Sequence, residues 1–343
     1  MSLRVETIEN VDGLEAIESE WRELWRRDTA ATPFEAPEWL LPWTRHVWGG
    51  GKLRAIAVRD GRGLAGLAPL FLWGFGKAPA ITRVSFLGAG VTDHLGMLAD
   101  PEVAVAAARL VFERLAAIRD EWHVCDLEEL RSGSALLRTE LPPRLSGLQS
   151  PCGVCPVLTL PASMDELWAS LTPKFRKNLR QAEARLRRNG AEFLTARPDE
   201  VGETMGALFR LHAARWRERG EAGVLASDAL QRFHLDAAER LARSGLLRLN
   251  AIRLGGEIIA AQYNLWRNGR LYYYLSGFNP AQARYSPGAV LLAWSIGSAI
   301  AEGGVEVDFL RNREDYKYQW GARDRVNRKL LVSHSAAYAR DVA

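Results

Sequence analysis

The sequence predicts a mixed α/β protein with two domains in tandem. Short apolar runs of strand length alternate along the chain with longer segments whose apolar residues recur at helical spacing. At 343 residues the chain is long for a single hydrophobic core, and chains of this length commonly divide. Apolar residues make up 48% and charged residues 25%, which is typical of globular proteins. We expect an N-terminal domain over 1–150 and a C-terminal domain over 151–343.

Charge and hydropathy narrow the class of partner. The formal net charge of +4 permits an anionic ligand but does not predict DNA binding. No apolar run reaches the ~18–20 residues that a membrane-spanning helix needs, and the N-terminus lacks the apolar centre of a signal peptide. The sequence therefore predicts a cytoplasmic protein without a membrane span.

The first 150 residues are predicted to mix strands and helices. Leu14, Ile17 and Trp21 recur at helical spacing, and 60–63 has the composition of a tight turn between two strands. Strands are predicted at 3–8, 53–59, 64–73, 83–87 and 123–127, and helices at 11–27, 37–47, 101–118 and 134–140.

Residues 141–156 have the composition of a linker. They carry four prolines together with scattered glycine and serine. Proline and glycine are the strongest local breakers of regular structure. We therefore place the domain boundary in this stretch.

The second half repeats the alternation of strands and helices. Gly255-Gly256 lies between two apolar runs and predicts a tight hairpin. Strands are predicted at 157–160, 191–196, 246–254, 258–266, 271–277 and 305–310, and helices at 163–171, 174–189, 201–219, 228–243 and 289–300.

The segment 271–320 organises this half, because it forms a strand, a polar loop, a helix and a second strand. Ser286 is predicted to cap the helix and Pro287 to be its first residue. Such a turn presents free backbone N–H groups and the positive end of a helix dipole to an anion. Gly288 would let a ligand approach the backbone, and Arg284 would add a positive charge. The alternative is an ordinary capped helix, and the sequence contains neither a P-loop nor a G-x-G-x-x-G motif.

The helix predicted at 174–189 is strongly basic. Its cations could bind RNA, an anionic lipid surface or the phosphates of coenzyme A, or they could form a solvated face. Few aromatic residues lie among them, which disfavours single-stranded nucleic acid. The basic residues, opposed by the single acid Glu183, are Lys174, Arg176, Lys177, Arg180, Arg185, Arg187 and Arg188.

Cys152 and Cys155 have the C-x-x-C spacing of a zinc or redox site. A zinc site needs two further ligands, and neither a second C-x-x-C nor an H-x-x-x-H motif is present. A redox pair is expected at a helix N-terminus, whereas a predicted strand follows Cys155. Two incidental thiols are therefore favoured, and no metal is expected.

Asp93-His94 combines a carboxylate with an imidazole, which invites a catalytic interpretation. Adjacent residues of an extended chain point to opposite sides, so these two groups are not expected to pair. A loop-stabilising role is favoured over catalysis.

Two histidines lie on predicted helices of the second half. His212, Arg215 and Trp216 stand at positions i, i+3 and i+4 and therefore share one helix face. A single helical histidine is more often structural than catalytic, and we keep that interpretation for His234.

Several spaced motifs together resemble the GNAT-superfamily acetyltransferases. Within them the sequence is most similar to the branch associated with cellulose and exopolysaccharide biosynthesis, which is related to the Fem-type aminoacyltransferases. The resemblance covers most of the chain and includes Leu211-His212 and Arg215-Trp216. It departs from the family pattern at Asn312, where glycine is expected, and in the spacing between Arg284 and Gly288. The other motifs are Tyr273-Tyr274-Leu275-Ser276-Gly277-Phe278, Tyr285-Ser286-Pro287-Gly288, Asp308-Phe309-Leu310-Arg311 and Tyr316-Lys317.

The resemblance implies two tandem GNAT-like domains, with the donor site in the second and a degenerate first domain. It implies that an acyl-CoA, acetyl-CoA above all, is the co-substrate and that its diphosphate lies in the turn 284–289. Asp308 is the first candidate proton acceptor and His212 the second, with Tyr316 and Lys317 beside them as further catalytic candidates. The candidate donor-binding residues are Tyr274, Ser276, Arg284, Tyr285, Ser286, Gly288 and Ala289.

Three functions remain open from the sequence. The first is acyl transfer from acyl-CoA to an amine or hydroxyl of a cell-envelope or polysaccharide-related acceptor. The second is Fem-like aminoacyl transfer from aminoacyl-tRNA, which the basic helix favours weakly. The third is a non-catalytic binding module of a polysaccharide-synthesis complex.

Overall fold

The computed structural model describes residues 2–75, 81–217, 220 and 223–334. Contacts between residues divide the chain into two units. The second unit runs from Val154 to Arg325, and the first comprises the preceding residues together with the segment from Val326 onward. The expected division at residue 150 placed the whole C-terminus in the second domain, whereas the segment from Val326 onward groups with the first unit. It groups with the first unit because residues 328–333 form an antiparallel pair with a strand of that unit at 124–130.

The first unit contains two groups of paired strands. Strands β1, β3, β4 and β7 form an antiparallel sheet, while β5 pairs with β2 and β6. Strand β6 pairs in parallel with β8, and helix α4 lies between them in the chain. The elements are β1 (Arg4–Ile8), α1 (Val11–Ala16), α2 (Glu18–Arg27), α3 (Pro37–His46), β2 (Lys52–Leu53), β3 (Ala55–Asp60), β4 (Gly63–Ala68), β5 (Leu70–Phe75), β6 (Ile81–Phe86), β7 (Leu98–Ala99), α4 (Ala104–Ala117), β8 (Val124–Leu130), α5 (Ala135–Arg138) and β9 (Ser146–Thr159).

The second unit repeats the strand, helix and parallel strand arrangement. Strands β10 to β13 form consecutive antiparallel pairs. Strand β13 then pairs in parallel with β14 after the crossover helix α10, and β14 pairs with the end of β9. The elements are α6 (Met164–Ser170), α7 (Pro173–Arg188), β10 (Glu192–Thr195), α8 (Val201–Arg217), α9 (Asp228–Arg243), β11 (Leu247–Leu254), β12 (Glu257–Arg267), β13 (Arg270–Phe278), α10 (Pro287–Ala301), β14 (Glu306–Asp308) and α11 (Asp315–Gln319). Strand β15 (Arg323–Ser333) begins in this unit, and its residues from Val326 belong to the first.

Helix α10 is the centre of the core of this unit. A helix that is apolar around most of its surface must be covered on several sides. Leu292 and Ile296 accordingly pack with Leu271 and Val307 of the parallel strand pair. A second cluster joins the same helix to α7 and to strands β11 and β12. The core therefore fixes the start of α10 relative to the parallel strands.

The hairpin predicted at Gly255-Gly256 is confirmed. Strands β11 and β12 are joined at these glycines, which have φ values of +60° and +85°. Both residues of a tight hairpin turn require positive φ, which glycine adopts without the steric cost of a Cβ atom. The mixed α/β class predicted from the sequence is confirmed as well.

The linker predicted at 141–156 is wrong over most of its length, because residues from Ser146 belong to the long strand β9. Proline lacks the N–H that a strand donates to its neighbour, so it is accepted only where that donor is not needed. Pro151 and Pro156 are both accommodated within β9. The backbone carbonyl of Pro156 still accepts a hydrogen bond from the N–H of Phe309 at 2.9 Å.

Helix α8 packs so closely on strand β13 that Gly277 has no room for a side chain. A Cβ atom at this position would lie 2.7 Å from the backbone nitrogen of His212 and 2.9 Å from the Cβ atom of Leu211. We expect Gly277→Ala to destabilise the protein by about 1–3 kcal/mol, because backbone atoms must move to admit the methyl group. Thermal melting measures the effect.

The matched control is Gly202→Ala at the start of the same helix, where nothing lies within 4 Å of the added Cβ atom. Its melting temperature should stay the same or rise, because alanine favours the helix. Equal melting temperatures for Gly277→Ala and the unchanged protein would contradict this close packing.

Candidate active site

A notch opens in the sheet where strands β13 and β14 part. The two strands pair only at three positions, from Arg270 with Glu306 to Tyr272 with Asp308. Strand β13 continues to Phe278, whereas β14 ends at Asp308. Within the described residues, no strand pairs with this edge of β13 after Tyr272. We call the region between 273–278 and the end of β14 the notch.

A β-bulge in β13 lies at the start of the notch. Tyr263 of β12 pairs with Leu275, but the next residue, Asn264, pairs with Tyr273. Tyr274 is therefore an extra residue in the register between β13 and β12. Bulges bend a strand and increase its twist, and they are common beside active sites. The bulge thus contributes to turning β13 away from β14.

The donor turn, residues 284–289, follows β13 and leads into α10. Ser286 occupies the predicted N-cap position and Pro287 is the first helical residue. The side chain of Ser286 makes no capping hydrogen bond, however, and its backbone is left-handed with φ 49° and ψ 47°. A capping side chain normally belongs to a residue with extended backbone, so the predicted side-chain cap is wrong. The first amides of α10 are thereby left without a side-chain acceptor from Ser286.

The side chains of the donor turn are arranged around two aromatic rings. The guanidinium of Arg284 is exposed and lies 4.8 Å from the ring centre of Tyr285. Gly288 faces Phe278 so closely that an added Cβ atom would lie 3.2 Å from the ring. Ala289, the next residue of α10, is half-buried. The turn thus offers a cation, a close approach to backbone and the start of a helix.

A chain of buried polar side chains supports the donor turn from below. The amide of Gln262 donates to the carbonyl of Gly288 at 3.3 Å and accepts from the hydroxyl of Ser295 at 2.7 Å. Asn250 donates to the same hydroxyl at 2.8 Å and accepts from Thr195 at 2.9 Å. Buried polar groups that are fully paired fix a unique geometry. Our sequence reasoning missed Gln262, although an amide in an otherwise apolar strand was a usable signal.

Two tyrosines pack against each other at the notch. The hydroxyl of Tyr273 donates to that of Ser276 at 2.8 Å. The ring centres of the tyrosines lie 6.4 Å apart. Burial raises the pKa of both phenols, so each keeps its proton at neutral pH. Tyr273, which was not among the predicted site residues, thus contacts two residues that were: the ring of Tyr316 and the hydroxyl of Ser276.

His212 is buried on α8 beside Gly277. Burial, with a smaller contribution from the charge of Arg215, lowers its pKa to about 4, so the imidazole is neutral at pH 7. The indole N–H of Trp216 donates to Nε2 of the histidine at 2.8 Å. The lone pair of Nε2 is therefore engaged and the proton resides on Nδ1, which disfavours His212 as a proton acceptor. Its predicted catalytic role stays a prediction.

His234 belongs to a buried aromatic cluster. Its ring centre lies 5.9 Å from that of Tyr263 and 5.6 Å from that of Tyr274. Burial is the main cause that lowers its pKa to about 3. The predicted structural role of His234 fits this packing. The half-buried ring of Tyr274, a residue predicted to bind the donor, contacts the rings of His234 and Tyr263.

Asp308 lies at the end of β14 and is 1% exposed. One carboxylate oxygen accepts from the N–H of Leu310 at 2.9 Å, and the other lies 3.7 Å from the guanidinium of Arg325. Leu310 has a φ of 56°, a conformation that residues with a Cβ atom rarely adopt. Asp308 therefore holds the turn that ends the strand, and its predicted catalytic role stays a prediction.

Lys317 is buried beneath the same loop. Its ammonium donates to the carbonyl oxygens of Leu310, Arg311 and Asn312 at 3.2, 2.7 and 2.9 Å, and it pairs with Glu314 at 2.7 Å. Asn312 stands where the family pattern has glycine, and its φ of 81° explains why glycine suits this position. The predicted catalytic role of Lys317 stays a prediction, and these carbonyl oxygens already engage its ammonium.

Helix α7 carries its cations on the face away from the core. Leu179, Ala182 and Leu186 are buried, and the helix packs on α10 and on the loop 280–285. Arg187 is paired with Glu183 at 2.8 Å. Four exposed cations form a stripe along α7, the helix that packs on α10 and the loop 280–285: Lys174, Lys177, Arg185 and Arg188.

The Lys317 network should be measurable as stability. Lys317→Met removes the donor to three carbonyl oxygens in a buried loop. We expect a loss of about 1–3 kcal/mol, because buried acceptors are left without a partner. Lys177→Met, at an exposed position of α7, should change stability by less than ~0.5 kcal/mol. An unchanged melting temperature with weakened acetyl-CoA binding would instead favour a donor contact.

The two neutral histidines make stability depend on pH. Their pKa values in the folded protein are about 4 for His212 and about 3 for His234, below the ordinary value of 6.5. The unfolded chain therefore binds more protons between about pH 4 and 6.5, so stability rises with pH through this window. Each histidine contributes a slope of up to about 1.4 kcal/mol per pH unit. Melting curves from pH 4.5 to 7.5 should show a shallower slope for His234→Leu, and equal slopes would contradict this account.

Comparison with known proteins agrees with this geometry. Residues 173–318 match the family model described as "Acetyltransferase (GNAT) domain", which spans the notch and the donor turn. This part of the second unit is therefore similar to GNAT acetyltransferase domains. No described helix has the length and apolar character needed to cross a bilayer. No curated protein matches the sequence.

Solved structures share the fold at low sequence identity. FemX has a TM-score of 0.66 and 11% identity over 91% of this chain and 95% of its own. L-PGS from Bacillus licheniformis has a TM-score of 0.58 and 12% identity over 93% of this chain and 92% of its own. The similarity extends over both units of the chain. The mixed α/β fold predicted from the sequence is therefore shared with FemX and L-PGS.

Proposed function

We propose that the second unit is an acyltransferase that uses acyl-CoA. The observation that carries this proposal is the notch, where β13 loses its partner strand beside the start of α10. The edge of β13 along 273–278, which no described strand covers, suits the amide-containing arm of coenzyme A. The donor turn, with Gly288 and Arg284, suits the diphosphate at the end of that arm.

Direct attack on a thioester needs positioning and proton transfer rather than a covalent intermediate. The acceptor amine or hydroxyl attacks the thioester carbonyl carbon, the bond to sulfur breaks, and the departing thiolate takes a proton. Tyr316 remains protonated at neutral pH because burial raises its pKa, and its ring packs against those of Tyr273 and Phe309 at the notch. It is therefore our candidate donor of that proton.

The acceptor must lose a proton as it attacks. Asp308 remains our first candidate for that role, although its carboxylate also holds the turn at Leu310. His212 acts more simply as a positioning group, because the hydrogen bond from Trp216 occupies its Nε2. We further propose, from the sequence resemblance, an acetyl donor and a cell-envelope or polysaccharide-related acceptor.

A second candidate function is aminoacyl transfer from aminoacyl-tRNA. The exposed cationic stripe of α7 favours it, because it lies on a helix that packs against α10 and the loop 280–285. Phosphate contacts by such a stripe would make RNA binding strongly dependent on salt. The fold similarity to FemX is compatible with either donor.

The Gly288→Asp substitution tests the donor turn. A carboxylate in the first turn of α10 interacts favourably with the positive end of the helix dipole, so the variant should remain folded. The same carboxylate would repel the diphosphate of the donor. We therefore expect the affinity for acetyl-CoA, measured by calorimetry, to fall at least about tenfold, or ~1.4 kcal/mol. Gly202→Asp, at the second residue of α8, places the same charge in the same helical position away from the site.

Unchanged acetyl-CoA affinity in folded Gly288→Asp would place the donor elsewhere. Salt-sensitive tRNA binding by a protein that binds no acyl-CoA would contradict the first candidate and favour the second. Acetyl-group transfer measured by release of free thiol decides between catalysis and a binding module.

A further inference from the structure

The two halves of helix α7 pack on different parts of the second unit. In its C-terminal half, Ala182 and Leu186 are buried in a cluster with Val290, which lies in the first turn of α10. Tyr285 of the donor turn packs against the same cluster, and α7 also contacts the loop 280–285. The C-terminal half of α7 therefore lies beside the donor turn.

The N-terminal half of α7 packs on another cluster. The ring of Phe175 meets that of Trp320 edge to face, with the ring centres 5.2 Å apart. Leu179 belongs to the same cluster, together with Leu292 and Ile296 from later turns of α10. The four cations of the α7 stripe are therefore not equivalent, because two of them belong to the half beside the donor turn and two do not.

Arg185 and Arg188 are the cations of the stripe in the C-terminal half. They stand three residues apart and share one side of the helix, and both are exposed. The one acid of α7, Glu183, is engaged by Arg187 at 2.8 Å. Over the part of the chain that the structure describes, neither Arg185 nor Arg188 forms an ion pair, and Nε of Arg185 donates only to the carbonyl oxygen of Gln181 in its own helix. Both guanidinium groups therefore keep N–H donors for an anion.

We propose that Arg185 and Arg188 bind the 3′-phosphate of a coenzyme A donor. This inference rests on the proposed acyltransferase function and extends it to the ribose end of the donor: the two arginines distinguish coenzyme A from its 3′-dephospho form. A phosphate monoester carries about −1.5 to −2 charges at pH 7, in addition to those of the diphosphate. The donor turn has one cationic side chain, Arg284, to meet the diphosphate. The further charge requires further cations, and guanidinium groups match phosphate oxygens with paired N–H donors.

Two other roles of the stripe compete with this assignment: a general attraction of anions and the binding of RNA. Lys177 lies about 12 Å along the helix axis from Arg185, and Lys174 about 16 Å. Both distances exceed the Debye length of ~8 Å at physiological ionic strength, so the lysines act only weakly on a phosphate held by the arginines. A bound 3′-phosphate therefore depends on one half of the stripe, whereas RNA presents phosphates to its whole length.

Calorimetry with coenzyme A and with 3′-dephospho-coenzyme A, at one physiological ionic strength, tests the assignment. We expect the unchanged protein to bind coenzyme A at least about fivefold more tightly, because the dephospho form lacks the charge-assisted contacts to both arginines. In the double variant Arg185→Gln/Arg188→Gln, the dissociation constant of coenzyme A should rise to that of the dephospho form, which should itself stay unchanged. Glutamine favours a helix about as well as arginine, so the melting temperature should not change.

The matched control is Lys174→Gln/Lys177→Gln, which removes the same charge from the other half of the stripe and should keep the full preference for coenzyme A. Equal dissociation constants for the two coenzymes in the unchanged protein overturn the assignment and leave the proposed function intact. A preference that survives in the arginine variant, or is lost equally in the lysine variant, also overturns the assignment. Binding of neither coenzyme contradicts the proposed function, and the assignment with it. Loss of tRNA binding in both double variants, without any preference for coenzyme A, overturns it in favour of the second candidate function.

Discussion

The short pairing between β13 and β14 is the constraint on which the candidate site depends. Three residue pairs hold the strands together, and the crossover helix α10 packs on both of them through Leu292 and Ile296. Beyond these pairs the strands separate, and the bulge at Tyr274 turns one of them away. A fully paired sheet would satisfy its own backbone and leave nothing for a ligand. The same core that stabilises the unit therefore also leaves an edge of β13 that no described strand covers.

The loop after β14 shows how charged residues can serve structure at a candidate active site. Leu310 and Asn312 both adopt positive φ, which is unfavourable for residues with a side chain. Asp308 binds the backbone N–H of one, and Lys317 binds the carbonyl oxygens around both. Strained backbone persists only where its surroundings hold it in place. These two side chains provide that hold at the mouth of the notch.

Sequence reasoning succeeded where the signal is local. The Gly255-Gly256 turn, the strand at 271–277 and the helix after Pro287 each follow from neighbouring residues, and the structure contains all three. It failed where the outcome depends on distant partners. Pro151 and Pro156 led to the prediction of a linker, yet both lie within strand β9. The left-handed Ser286 could not be foreseen from its residue type, nor could the meeting of Arg215 with Phe278 across two elements.

The polar chain that runs from Thr195 through buried Asn250, Ser295 and Gln262 to Gly288 affects how the donor turn binds a ligand. Each link joins a strand or helix to the next, so the position of the turn is set by the sheet and not by the loop that precedes it. A turn that is already in its binding geometry loses little conformational entropy when a ligand arrives. The turn is preorganised, and the cost of binding there depends chiefly on the conformational freedom and hydration that the ligand itself loses.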